Sequence, residues 1–338
     1  MPRKEGEITL NEEKRKTFFA FGDPFFNSNL DAVIIAFFLL AASFFQNGVT
    51  ALLNAFVCVV SCLICEYFSF RFILKKEKPL SDLDALKIGL FTALLLPSCV
   101  PLYVSASAGA FAILVCKLPF GSAKNAPFVP SAAAVCFSSL CFPQYVFSYS
   151  AAPELQKIAF SSSADFVKGT SLLELLEKGN GIRPNVFSVT SLLSGAYPGA
   201  SGTACVLALL AAAIYLLIRR PKSLFSSGGF VLSCTVFAFL FPRVESGRMI
   251  SVLCELCAGS LLFSALLLIN DSPSVPKKGV YAFLFGAAAG IFCMLIRIFL
   301  KDVDSGCLSV MIANALVLIF ENRKKAKPFN EKKRRASV

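Results

Sequence analysis

The chain has 338 residues, 56% of them hydrophobic, with 16% charged and a mean hydropathy of +0.69. Soluble domains carry about a quarter charged residues, so this composition excludes an ordinary soluble protein and predicts a polytopic membrane protein. Histidine is absent, which removes imidazole bases, Ser-His-Asp triads and His-ligated metals or haem. The net charge of +12 sits beside the ends of apolar runs and reads as basic loops at a bilayer, with no nucleic acid as partner.

Residues 1–30 are polar and mixed in charge, an N-terminal tail without the pattern of a cleavable leader. Five apolar segments follow at about 31–46, 50–70, 84–97, 101–118 and 128–147, making a first membrane half over 31–147. A polar insert covers 148–202 and ends in the run SGAYPGASGTA. Five further segments, at about 203–218, 227–242, 249–269, 279–299 and 305–320, make a second half over 203–320. A basic tail closes the chain at 321–338. Several segments fall short of the roughly 20 residues a straight crossing needs. Broken helices meeting irregular backbone inside the protein are therefore expected.

Charge asymmetry orients this ten-segment reading. With the N-terminus inside, 25 of the 33 Lys and Arg residues fall in inside segments and 8 outside. That predicts both termini in the cytoplasm and the insert on the outer face of the cell membrane.

Two strings recur in order. FTALLL at 91–96 returns as FSALLL at 263–268, and AGAFAILV at 108–115 returns as AGIFCMLI at 289–296. Five segments separate the copies, an odd number, so they must run in opposite directions through the bilayer. The expected fold is all-α, about ten helices in two inverted five-helix repeats, pairing Phe91 with Phe263 and Gly109 with Gly290. Such folds place the functional centre near mid-membrane between the halves.

The thirteen cysteines lie almost entirely in apolar segments, which argues against a disulfide framework. Cys62/Cys65 and Cys254/Cys257 have CxxC spacing, but packing is the simpler reading of both pairs. Neither a catalytic side chain nor a metal set is assigned. Charged residues within or at the segments are Glu66, Lys87, Lys117, Glu255 and Arg297. Most lie near enough to predicted ends to snorkel. Glu66 and Glu255 stand beside cysteines in small-residue segments and are the candidates for cation coupling.

Several stretches in sequence order carry a family resemblance: CEYFSFRFILKKEKPLSDLDALKIGLFTALLLP, PLYVSASAGAFAILVCKLPFG, PFVPSA, SGAYPGASGTACVLALLAAAIYLLIRR, ELCAGSLLFSALLLINDSPSVPKKG and SGCLSVMIANAL. Over about 31–320 the chain resembles the D subunit of the Rnf electron-transport complex and, more distantly, the B subunit of the sodium-pumping NADH:quinone reductase. The resemblance implies a membrane subunit of a redox-driven Na⁺ or H⁺ translocase, with other membrane subunits of an electron-transport complex as partners. It also implies FMN esterified to a threonine through the flavin phosphate, with room for a second flavin near the membrane.

The family's flavin threonine aligns with Thr170, in the stretch Asp165-Phe166-Val167-Lys168-Gly169-Thr170-Ser171-Leu172. Ser171 replaces the family's proline, Gly169 its alanine, and Asp165 is one residue closer. A glycine beside an exposed hydroxyl admits a phosphate, and a helix starting just after it favours an anion. Ser171-x-x-Glu174 also reads as a capping box with no ligand at all. Asp271, Ser274 and Pro276 match an Asp-x-x-Thr-x-Pro pattern, which makes Asp271 and Ser274 candidate cofactor-binding residues. Gly202-Thr203-Ala204-Cys205 stands where the family has Gly-Glu-Thr-Ser, so a divergent member is expected. A small-solute channel or secondary transporter, and a flavin-less scaffold, are the competing readings.

Overall fold

The computed structural model describes residues 24–74, 83–121, 126–150, 168–169, 193–195, 197–243, 248–272, 274–276, 279–300 and 304–319. The described chain is a helical assembly. Its apolar runs have no water to satisfy the backbone, so they close their hydrogen bonds internally as helices.

In chain order these are α1 (Pro24–Asn47), α2 (Val49–Phe68), α3 (Asp84–Leu95), α4 (Leu102–Phe111) and α5 (Pro130–Cys141). Then come α6 (Val206–Arg219), α7 (Leu224–Leu240), α8 (Arg248–Cys257), α9 (Leu261–Asp271), α10 (Gly279–Phe299) and α11 (Ser305–Ile319). α2 runs on into a π-helical turn at Ser69–Leu74, and α4 into another at Ala112–Lys117. Tyr149–Ser150 (β1) and Lys168–Gly169 (β2) form a short antiparallel pair.

A helix lies in each of the ten predicted apolar segments. Among the described residues, four stretches are long and apolar enough to cross a bilayer: Ser28–Asn47, Val49–Phe72, Leu102–Phe120 and Gly279–Phe299. The α8–α9 pair makes a fifth if it is counted as one span. α3, with 12 residues, is about 18 Å long and falls well short of a hydrocarbon core of about 30 Å.

The eighth segment, expected as one span over 249–269, is instead broken. α8 and α9 meet at 69°, and Gly259 at the break has φ +63°, a left-handed conformation that suits glycine. The fifth segment ends early for a related reason. α5 stops at Cys141, and Pro143, with no N–H, starts a separate turn over Pro143–Val146.

Large apolar side chains face outward in number: Phe37, Phe38, Phe45, Phe56 and Tyr67 on α1 and α2, Phe72 in the π turn after α2, and Leu217, Ile218, Leu240, Val280 and Phe299 further on. In water such a belt would be a liability. In a bilayer it is the solvent-facing surface. The interior holds Phe91, Phe230 and Phe263, each at most 1% exposed, with Leu94, Leu209 and Leu261.

Small residues bring backbones together where helices cross. A Cβ added at Gly286 would strike the Ser226 carbonyl, and one at Gly229 the Phe283 carbonyl, so α7 and α10 pack backbone to backbone. Related contacts recur across the chain. Cys62 Sγ on α2 lies 3.4 Å from the Gly109 carbonyl on α4, and Cys234 Sγ on α7 lies 3.5 Å from the Gly290 carbonyl on α10. A Cβ at Gly109 would sit 2.7 Å from the Cys58 carbonyl, and one at Gly290 2.5 Å from the Phe230 carbonyl. Asn54 Nδ2 donates to the Ser98 carbonyl at 2.6 Å, and Ser226 Oγ to Asn270 Oδ1 at 2.6 Å. Cys58 to Phe230, Cys62 to Cys234, Asn54 to Ser226 and Ser98 to Asn270 all stand at the sequence offset that relates Phe91 to Phe263.

Candidate functional site

The N-terminal and C-terminal helices meet along a seam between α3 and the broken pair α8–α9. Lys87, Phe91 and Leu95 lie four residues apart on α3 and so share one helix face. Each level of that face meets the C-terminal helices. Lys87 Nζ reaches Asp271 Oδ1 at 2.5 Å. One turn on, the Phe91 and Phe263 rings meet edge to face with centroids 5.6 Å apart. At the next turn, Leu95 lines a cavity together with Gly259 and Ser260. Lys87 and Leu95 stand about 12 Å apart along the helix axis, so the ion pair and the cavity occupy opposite ends of the seam.

The ion-pair end is a chain of buried polar side chains. Lys87 donates to Asn29 Oδ1 at 3.0 Å as well as to Asp271. Asn29 Nδ2 donates in turn to Asp84 Oδ1. Asp84 Oδ2 lies 3.7 Å from Lys117 Nζ, which also contacts Glu66 Oε1 at 2.5 Å. The run Asp271–Lys87–Asn29–Asp84–Lys117–Glu66 thus links five helical stretches: α9, α3, α1, the π turn after α4, and α2. Burial in hydrocarbon makes each charge costly unless paired and hydrogen-bonded. That explains why the six side chains form one connected set.

Beside this chain, Asp31 on α1 accepts from Tyr215 at 3.2 Å, from Arg219 at 3.2 Å and from Arg220 at 3.0 Å. Arg219 is half exposed, so its bond to Asp31 is largely screened.

The cavity end has a volume of about 40 Å³ and is lined by Tyr149, Tyr197, Gly259, Ser260, Arg297 and Asp304 among others. That admits one or two waters or a bare ion, and no ring system. Asp304 caps α11, accepting from the Gly306 and Cys307 amides at 3.0 and 3.2 Å and from Ser260 Oγ. Arg297 is 3% exposed. Its Nη1 donates to the Glu255 carboxylate at 2.9 Å and the Glu255 carbonyl at 2.7 Å, and its Nη2 to the Ala258 carbonyl at 2.9 Å. The guanidinium therefore caps the open end of α8 where Gly259 breaks it. Arg243 Nε is 3.4 Å from the other Glu255 oxygen. Among the described residues, Arg297 Nε, Arg243 Nη2 and Glu255 Oε1 have no hydrogen-bond partner.

Tyr197 donates to the Cys257 carbonyl at 2.8 Å. Burial pushes its phenol well above the ordinary tyrosine range. Burial does the same at Tyr149, helped by the Asp304 carboxylate. Both remain neutral at pH 7. Tyr149 also anchors the insert, because its register partner in the β1–β2 pair is Gly169. One rim of the cavity is thereby tied to the residue preceding Thr170.

The sequence-selected residues fall into three groups. Glu66 and Glu255 are both buried, at 6% and 1% exposure. Each is held by a basic partner, Lys117 and Arg297 respectively, so these groups pair inside the protein and do not snorkel. Asp271 lies at the ion-pair end, while the Ser274 amide donates to Ser272 Oγ at 3.3 Å in the following turn. Thr170, with Asp165 and Ser171, lies outside the described residues. Asn29, Asp84 and Asp304 were not selected from the sequence. Asn29 and Asp84 sit near helix starts, where polar residues are ordinary, and nothing local signals their shared partner.

The sequence model of the NQR2, RnfD, RnfE family matches residues 14–330. The chain belongs to this family. Among curated members it is 26% identical to the D subunit of the Na⁺-translocating ferredoxin:NAD⁺ oxidoreductase complex of Acetobacterium woodii, over 87% of each chain. It is 24% identical to the D subunit of an ion-translocating oxidoreductase complex from Halorhodospira halophila, over 72% of this chain and 74% of that one. The corresponding D subunit from Cronobacter sakazakii is 23% identical, over 83% and 88%. Family membership and the helices together make this a multi-pass membrane protein.

Proposed function

We propose that this chain is the D-type membrane subunit of a redox-driven cation-translocating electron-transport complex, working with other membrane subunits. The observation that carries the reading is the seam, sealed at one end by Lys87–Asp271, narrowed at its middle by Phe91 against Phe263, and hollow at the other end. A barrier of this kind, between two sets of helices, is what a translocating protein needs if a cation is to pass without a continuous pore. The names of the relatives agree with it.

The repeated contacts support an inverted repeat. Phe91 and Phe263 are equivalent positions that touch each other, as residues on a two-fold axis must. The Cys62–Gly109 and Cys234–Gly290 contacts are equivalent pairs away from that axis. We take all ten helical segments as membrane-embedded, the short ones as partial crossings, with both termini cytoplasmic in the cell membrane. Lys87 and Asp271 then lie towards the cytoplasm, and the cavity and the 148–202 insert towards the outside.

Flavin belongs to the same proposal. Thr170 would hold FMN by a phosphoester, and the flavin would supply electron transfer. In support, Gly169 pairs with Tyr149 on the cavity rim, so the attachment point begins one residue from the seam's outer end. The ring itself does not fit a cavity of about 40 Å³ and would lie outside it. A second flavin, near the membrane, would need a site formed with another protein of the complex.

The test is cation uptake by the assembled complex in proteoliposomes. Addition of electron donor and acceptor should drive uptake, and a complex lacking this chain should show none. A secondary transporter, which the same seam would also suit, would move its solute without any electron donor. A scaffold would leave uptake unchanged when the seam is mutated.

A further inference from the structure

We propose that the Lys87 ammonium is a tethered stand-in for a monovalent cation. It latches α3 to α9 across Asp271, and a mobile cation opens the latch by taking its place. The inference rests on the cation-translocating reading above and assigns the seam's closed end a specific device.

Four observations carry it. First, the ammonium is seated as a small cation is, between oxygens of two other helices. Asn29 Oδ1 is at 3.0 Å and Asp271 Oδ1 at 2.5 Å, and Lys87 is 2% exposed. A lysine head is a compact point charge on a flexible stem, close in charge and coordination to a desolvated monovalent ion. Second, the pair is a bridge between the two sets of helices. Lys87 is on α3 and Asp271 ends α9, so separating them opens that end of the seam. Third, the surroundings can hold Lys87 in either state. Among the described residues, the charged groups that α9, α3, α2 and the π turn after α4 bring to the chain are Asp271, Lys87, Asp84, Lys117 and Glu66, while α1 contributes the neutral Asn29. The acid on α1, Asp31, is taken by Arg219 and Arg220. Asp84 lies on the same helix as Lys87 and across the shared Asn29 amide. Its carboxylate would therefore compensate the ammonium after withdrawal from Asp271. Fourth, Asp271 has a side-chain exposure of 16% against 3% for Lys87. The acid is therefore the member of the pair open to an arriving ion.

Exchange at this point needs no bond chemistry. One cation replaces another at a carboxylate and an amide oxygen, and net charge at Asp271 is unchanged in either state. What changes is connection: a free ion at Asp271 does not tether α3 to α9.

The experiment uses the purified full chain in detergent, with thermal unfolding read against NaCl, KCl and choline chloride at equal ionic strength. Lys87→Met removes the ammonium while keeping the stem. The vacated oxygens should then take Na⁺ or K⁺, raising the unfolding midpoint by about 2 °C or more over choline. Wild type, whose site is filled by its own lysine, should show a smaller response. Lys87→Met/Asp271→Asn should lose the response. If Lys87→Met fails to fold, Lys87→Gln and Asp271→Asn replace it, and Asp271→Asn must abolish any cation response that wild type has. Equal midpoints in NaCl and choline for the lysine variants overturn the proposal, as does a response that survives loss of Asp271. These readouts need no turnover. Failure of the latch is thereby distinguishable from failure of the translocase reading, which would appear as absent cation uptake by the wild-type complex.

Discussion

Phe91 and Phe263 pack edge to face at the centre of the seam, their ring centroids 5.6 Å apart and each ring at most 1% exposed. Each is the other's counterpart in the recurring strings FTALLL and FSALLL. Truncating either to alanine removes the same contact and opens a void beside the remaining ring. Phe91→Ala and Phe263→Ala should each destabilise by about 3–5 kcal/mol. The double variant should cost clearly less than their sum, because the pair shares one interface. Thermal unfolding of the three variants checks this, and simple additivity would mean that the rings do not depend on each other.

The α7–α10 crossing depends on missing side chains. At Gly286 and Gly290 a methyl group would meet the backbone of α7, so Gly286→Ala and Gly290→Ala should prevent folding or force the helices apart. Gly228 is on the same helix as Gly229 but has nothing within 4 Å of an added Cβ. Gly228→Ala should be neutral or slightly stabilising, since alanine is the better helix former. Yield of monodisperse protein in detergent is the measurement.

The helical positions and the recurring strings were legible in the sequence, and Glu66 and Glu255 stood out in it, because each leaves a local signal: an apolar run, a repeated string, a charge among small residues. The seam was not. Lys87 and Asp271 are 184 residues apart, and pairwise partnering over such separations leaves no trace in periodicity. The break at Gly259 was missed because Ala258-Gly259-Ser260 is a short, uncharged interruption between Leu256 and Leu261 in an apolar run, so averaged hydropathy runs through it. Snorkelling was the wrong expectation for Lys117 and Arg297 for a related reason. Distance from a predicted end sets whether a side chain can reach water, and says nothing about whether a carboxylate on a neighbouring helix is closer.

Arg297 supplies a case where charge and capping can be separated. Arg297→Met leaves Glu255 with only the 3.4 Å contact to Arg243 and strips three hydrogen bonds. Loss of one partner of a buried pair costs about 3–5 kcal/mol. Adding Glu255→Gln should restore part of that, since the uncompensated charge goes. It should not restore all of it, since the Glu255 and Ala258 carbonyls stay uncapped. Full recovery would show that the guanidinium serves the carboxylate alone.

Topology gives a prediction that does not depend on cofactors. The 25-to-8 division of basic residues predicts both termini inside. A reporter fused after Val338 should read cytoplasmic, and one inserted near Ser162 should read external. If both report one side, the number of crossings between them is even and the ten-segment reading fails.

The flavin prediction turns on Thr170. Its neighbour Gly169 is held against Tyr149 by backbone pairing, and a glycine leaves the adjoining hydroxyl sterically open to a phosphate. The role assigned to Thr170 is attachment alone, since an alkyl oxygen carries no electrons and redox chemistry belongs to the flavin. Wild-type protein co-expressed with a flavin transferase should show a fluorescent band that survives denaturing electrophoresis, and an FMN mass on the peptide from Asp165 to Lys178. Thr170→Ala should lose both while the purified protein keeps its helical circular dichroism and unfolding midpoint. Thr170→Ser should retain the band, because the hydroxyl remains. Tyr149→Phe should also retain it, because the Tyr149–Gly169 pairing is made by backbone atoms. Absence of flavin on that peptide in the wild type would leave the stretch as the capping box its Ser171 and Glu174 also spell, and would move the electron path of the complex to its other proteins.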